Sequence, residues 1–177
     1  VRMNDLVEHR ERSDRFQLLN GEWKFQYYNS IYDVTESFYE KGYDVSGFDQ
    51  VTVPGVWQMD GYDTHQYTNI RYPFPFDPPY VPQDIPCGAY VHNFEYHREK
   101  KASKAFLNFE GVDSCFYVWV NGTYAGYSQV PHATSEFDVT DLLNEGENTL
   151  AVLVLKWCDG SYLEDQDKFR MSGIFRD

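Results

Sequence analysis

The chain has 177 residues, enough for one domain with a sizeable core and too few for two comfortable ones. Fifteen basic residues against 28 acidic ones give a formal net charge of −13, which argues against nucleic acid and anionic membranes as partners, because both select basic patches. No apolar run approaches the ~18 residues of a membrane span and no N-terminal signal segment is visible, so a cytoplasmic location is expected.

Aromatic residues make up 18% of the chain. An aromatic-rich β-sheet explains that, and so does a surface for sugars or protein partners, since Tyr and Trp join a flat apolar face to a polar handle. Cys87, Cys115 and Cys158 are widely spaced with no CxxC pattern, which fits reduced thiols better than a disulfide framework. The five histidines form no HExxH or His/Cys spacing, so a zinc site is not expected.

Residues 1–15 are mostly charged and aperiodic and read as an extended arm or weak helix; the start at Val1-Arg2-Met3 and the stop at Asp177 read as cuts through a longer chain. Trp23, Phe25 and Tyr27 alternate with Lys24 and Gln26, the period-2 signature of a half-buried strand. Residues 31–50 suggest a loop with one helical turn, and Val51-Thr52-Val53 a short strand stopped by Pro54. Seven of the eight prolines fall within 54–88, which predicts a long ordered excursion without regular pairing, its interleaved aromatics arguing for packing.

From Tyr90 onward the pattern is β. Strands are predicted over 90–96, 104–109 and 114–120, the last closed by Asn121-Gly122, a strong type I′ hairpin signal, and returning over 123–128. Asn121-Gly122-Thr123 also matches a glycosylation sequon, but the turn explains it fully. A short strand over 136–139 and an apolar one over 149–157 follow. Seven or eight strands without a long helix predict an all-β, antiparallel two-sheet sandwich, a jelly roll.

The tail from Trp157 to Asp177 carries the densest chemistry. Glu164, Asp165 and Asp167 crowd three carboxylates into four residues, and such crowding raises proton affinity unless cations or donors offset it. Lys168, Arg170 and Arg176 are at hand to do so. A solvated charged loop and a hard-cation or polyol site both remain open readings.

With these segments laid out, the chain resembles the N-terminal sugar-binding domain of bacterial β-galactosidases of glycoside hydrolase family 2, over residues 16–177. The resemblance rests on Leu19-Asn20-Gly21-Glu22-Trp23-Lys24-Phe25, Val53-Pro54-Gly55-Val56-Trp57-Gln58-Met59, Tyr67-Thr68-Asn69-Ile70-Arg71-Tyr72-Pro73, Phe109 to Ser114, Val118 to Gly122 and, most specifically, Ser161 to Asp177. Phe169 stands where the family more often has Trp, Cys158 where Ser is usual, and residues 130–134 differ from its Arg-containing loop.

The resemblance implies a retaining hydrolase of terminal β-galactosides such as lactose, whose catalytic glutamates lie on a following TIM barrel and not in this chain. It implies that Asn69 and Asp167 contact the galactosyl hydroxyls, with Ile70 a weaker neighbour, and that Asp167 ligates a sodium ion. Magnesium in the full-length enzyme is implied elsewhere, as is a homo-oligomer. From the residues alone, Asn69 also reads as a turn residue and Asp167 as a partner of Arg170 or Lys168. A free-standing carbohydrate-binding module and a structural domain bracing the barrel are the competing functions.

Overall fold

The computed structural model describes residues 12–177 apart from Glu36 and Lys100; residues 1–11 of the predicted arm lie outside the described residues. Twelve strands are formed among them: β1 (Gly21–Tyr28), β2 (Asp49–Val53), β3 (Gln66–Thr68), β4 (Cys87–Tyr96), β5 (Phe106–Phe109), β6 (Val112–Asp113), β7 (Cys115–Val120), β8 (Thr123–Ser128), β9 (Ser135–Asp138), β10 (Gly146–Leu155), β11 (Lys168–Arg170) and β12 (Gly173–Ile174). Six make one antiparallel sheet in the order β2-β1-β4-β10-β7-β8; the rest form three antiparallel pairs, β5-β9, β12-β6 and β11-β3. The predicted all-β sandwich is therefore present, with a broad sheet as one layer and short ladders opposite it.

Register explains which side chains make the core. Phe25 faces Tyr90, Tyr90 faces Val152 and Val152 faces Val118, so one row of the broad sheet points to the same side. These residues pack against Phe109, Val112, Phe137 and Ile174 from the short ladders. The alternate row, Ala89, Val91, Ala151 and Leu153, points the other way and is covered by Phe38 and by partly buried Ile31, Val34, Tyr39 and Phe48 of the segment between β1 and β2. That cover is why β10 is apolar at successive positions from Leu150 to Leu155, where neither face meets water.

The hairpin turn forms as predicted, with φ of 52° at Asn121 and 82° at Gly122. The Asn121 amide nitrogen donates to Leu142 O and Asn148 Oδ1, so it is committed to the fold rather than presented to solvent. Asn148 is fully buried, accepts from Asn121 and the Asn144 amide, and donates to the carbonyls of Asn144 and Gly146. Burying a polar side chain this deeply is tolerated because all of its bonds are made.

The proline-rich excursion departs from expectation in one respect. Residues 66–68 do form a strand, because the interval between Pro54 and Pro73 holds no proline and leaves its amide donors free to pair. The excursion is also well anchored. The Gly55 and Trp57 amides donate to Ile174 O and Ser172 O, and Lys156 pairs with Asp63. The Tyr162 hydroxyl lies 2.6 Å from Tyr80 O and accepts from the Asp77 amide at 3.2 Å, holding residues 75–80 against the turn at Asp159–Tyr162.

Candidate functional site

β11 lies antiparallel to β3, with Lys168 opposite Thr68, Phe169 opposite Tyr67 and Arg170 opposite Gln66. The ladder stops at Lys168 and Thr68; Asp167 and Asn69, the next residue of each segment, lie in bends at the open end of the ribbon. A strand alternates its side chains between faces, so Lys168 and Arg170 share one face while Phe169 shares the other with Asp167. Burial follows the alternation: Arg170 is buried and Lys168 nearly so, whereas Asp167, Phe169, Tyr67 and Asn69 are exposed.

The outer face is a small polar and aromatic surface. The Tyr67 hydroxyl donates to Asp167 Oδ1 at 2.6 Å, and the Tyr67 ring lies tilted against Phe169 with centroids 5.2 Å apart. Asp167's hydrogen bond, together with its charge, holds the Tyr67 phenol above its ordinary pKa, so the hydroxyl keeps its proton and remains the donor. The Asp167 amide donates to Asp165 Oδ1 at 2.9 Å, which fixes the approach of the chain. Ile70 follows Asn69 and is 83% exposed.

The inner face is a buried network of two acids and two bases. Lys168 Nζ lies 2.9 Å from Asp113 Oδ2 and 2.8 Å from Glu164 Oε2, and Arg170 adds a bond of 3.1 Å to Glu164 Oε2. Ser114 donates to Glu164 Oε1 at 2.6 Å, and Arg170 donates to Gln166 Oε1 at 2.8 Å. Burial pushes the Asp113 carboxyl above the usual carboxylate range, against the pull of Lys168. For Lys168 burial acts downward, but Asp113 and Glu164 outweigh it and hold the ammonium charged.

The structure thus divides the three crowded carboxylates of the tail. Glu164, with its side chain 6% exposed, is the partner of Lys168 and Arg170, while Asp167 is turned outward to Tyr67. The alternative in which Asp167 pairs with Lys168 or Arg170 is not what the chain adopts. Glu164 and Asp167 also do not form an exposed carboxylate pair. Arg176 lies over the Phe175 ring and takes no part in the network described.

Two features of the site escape a reading of the sequence alone. Tyr67 belongs to a block quoted for the resemblance, but no local signal shows that its hydroxyl meets Asp167, a hundred positions away. Asp113 lies some fifty residues from Lys168, and their meeting depends on β6 pairing with β12. Three residues, Lys168 to Arg170, are too few for an alternation to mark the strand there. Cys87, Cys115 and Cys158 are free and buried, and burial pushes the Cys87 thiol to about 12. Among the described residues no three His, Cys, Asp or Glu side chains converge in a way that could hold a metal ion, and no helix is long and apolar enough to cross a membrane.

Solved structures with this fold include a β-glucuronidase from Bacteroides uniformis, with a TM-score of 0.61 at 20% identity over 91% of this chain and 17% of that one. A β-glycosidase from Bacteroides vulgatus gives 0.58 at 25% identity, covering 89% and 19%. The class is therefore a sandwich domain of the kind glycosidases carry. The β-galactosidase of Actinobacillus pleuropneumoniae is 56% identical over 168 residues, and that of Staphylococcus xylosus 52% over 160. These alignments cover 95% and 90% of this chain, which spans 16% of the length of each relative. The family described as glycosyl hydrolases family 2, sugar binding domain, matches residues 16–177, and the chain belongs to it.

Proposed function

We propose that this chain is the domain of a retaining β-galactosidase that lends substrate contacts to an active site whose reacting groups lie on a downstream TIM barrel. The observation that carries the reading is the ribbon end, where the exposed Asn69 and Asp167 each adjoin the Thr68–Lys168 pair that closes the ladder. An amide donates and accepts at once and a carboxylate accepts strongly, a combination suited to vicinal sugar hydroxyls. The relatives' name, β-galactosidase, supports terminal β-galactosides such as lactose as the substrate class. Retaining hydrolysis requires two carboxyl groups about 5–5.5 Å apart astride the scissile bond. Glu164 is sequestered by Lys168, Arg170 and Ser114, so the chain's densest acidic cluster does not supply that pair.

Asp167 is also the proposed ligand of a sodium ion. A carboxylate oxygen suits a hard cation, and Asp167 Oδ1 is engaged by Tyr67 while the neighbouring Asp165 turns to a backbone amide. This chain would supply one ligand, the remainder coming from the barrel; such an ion would orient a sugar hydroxyl and balance charge. Magnesium is proposed to bind elsewhere in the full-length enzyme. Exposed Ile70, Phe76, Tyr80 and Leu163 on the same loops fit a surface covered by the barrel, and homo-oligomerisation is part of the proposal for the whole protein.

The test compares the full-length protein with residues 1–177. Full-length protein is expected to hydrolyse a β-galactoside, and the chain alone to show neither turnover nor millimolar galactose binding. Tight binding by the chain alone would favour a free-standing carbohydrate-binding module, and turnover by it would refute the division of labour.

A further inference from the structure

We propose that Lys168 is a positioning residue: by neutralising Asp113 and Glu164 beneath the ribbon, it holds the outer face so that Asp167 meets the substrate. The inference rests on the reading of Asp167 as a substrate contact and extends it to a side chain that never touches sugar.

The geometry supports this in three ways. Lys168 is the next residue after Asp167, so whatever fixes its side chain fixes the backbone that carries the carboxylate. Its ammonium bridges two segments that are distant in sequence, Asp113 on β6 and Glu164 in the tail loop, at 2.9 and 2.8 Å. The side chains of Lys168, Asp113 and Glu164 are 14, 12 and 6% exposed, so solvent screens the pairing little and cannot easily replace a missing partner.

Counting formal charges in the cluster sharpens the claim. Asp113 and Glu164 oppose Lys168 and Arg170, two against two. Removing the lysine alone leaves Glu164 with Arg170 but strips the buried Asp113 of its cation, so the segment that holds it must open or take up a proton. Removing Asp113 and Lys168 together leaves Glu164 with Arg170 and Ser114, balanced again and nearly unchanged in shape.

The experiment uses the full-length protein with a β-galactoside. Lys168→Met is expected to lower kcat/KM by roughly tenfold or more, carried mainly by KM, because small misplacement of a binding group is costly. Asp113→Asn combined with Lys168→Met is expected to return KM to within about threefold of the parent, since a balanced isosteric replacement of a buried pair is tolerated. Amide exchange over 164–168 should quicken in Lys168→Met and recover in the double variant.

An unchanged KM in Lys168→Met, or a loss the second substitution does not recover, would overturn the proposal. If Lys168→Met does not accumulate folded, Asp113→Asn alone decides: a KM rise supports the proposal and a parental KM overturns it. Asp167→Ala is the control that separates the two claims. Should that control leave KM at the parental value, the substrate reading fails; amide exchange then still decides whether Lys168 holds the ribbon.

Discussion

His92 shows how a single half-buried side chain gives this fold a pH dependence. Its imidazole stacks on Trp23, with centroids 4.7 Å apart and planes 10° from parallel. Burial lowers its pKa below the ordinary value, so the folded chain disfavours the charged ring. Between that lowered pKa and the unfolded value of about 6.5, the unfolded chain binds more protons, and stability rises with pH through the window. Acidifying from pH 7.5 to 5.5 is therefore expected to lower the urea midpoint of the chain. His92→Phe, which keeps the stack and cannot protonate, should lose less over the same interval. An equal loss in both would place the acid sensitivity elsewhere. At the same scale, Glu164 and Asp167 show how little residue type decides: two carboxylates three positions apart become a buried counter-ion and a surface acceptor because the strand beginning at Lys168 sorts its neighbours by face.

At the scale of elements, the broad sheet and the tail meet around Trp57. Its indole donates to the Tyr90 hydroxyl at 2.6 Å, and its backbone pairs with Ser172, so β4 and the segment before β12 are joined through one residue. Gly88 on β4 leaves room for this. A Cβ there would collide with Phe25 Cε2, lie 2.9 Å from Phe25 Cζ, closer than real Cβ atoms come, and press on Trp57 Cζ2 at 3.0 Å. Gly88→Ala is expected to destabilise the chain by about 1–3 kcal/mol through overpacking, measured by urea unfolding. A neutral effect would mean that the rings move aside at little cost. Gly173 has a stricter requirement, since its φ of 133° disfavours other residues and an added Cβ would sit 2.7 Å from Gly55 O.

The broad sheet was legible in the sequence because each of its longer strands carries its own pattern: alternation in Trp23-Lys24-Phe25, an unbroken apolar run from Leu150 to Leu155, and Asn-Gly between β7 and β8. The short ladders were not. β3, β11 and β12 are two or three residues long, too short for a period to show, and they exist because distant segments lie side by side. The same holds for the site. Asn69 and Asp167 were reached through resemblance, with a plausible chemistry for each type, whereas the meeting of the two segments that carry them follows from a pairing between residues a hundred positions apart. Asp113 could not be read as a partner of Lys168, because no local signal links them.

For the molecule as a whole, the proposed division of labour would make each part depend on the other. In that proposal the sandwich presents Asp167 and Asn69 at the end of its outer ribbon, and the exposed apolar Ile70 at 83% and Leu163 at 91% suit a face that a further domain would cover. The most direct test of this division is steady-state kinetics of full-length Asp167→Asn on a β-galactoside across a sodium titration. The exchange keeps the shape and removes the charge. A fall in kcat/KM of roughly a hundredfold, with a weakened sodium response, is expected from loss of a charged hydrogen-bonding and cation-binding oxygen. Parental kinetics with an unaltered sodium response would contradict it.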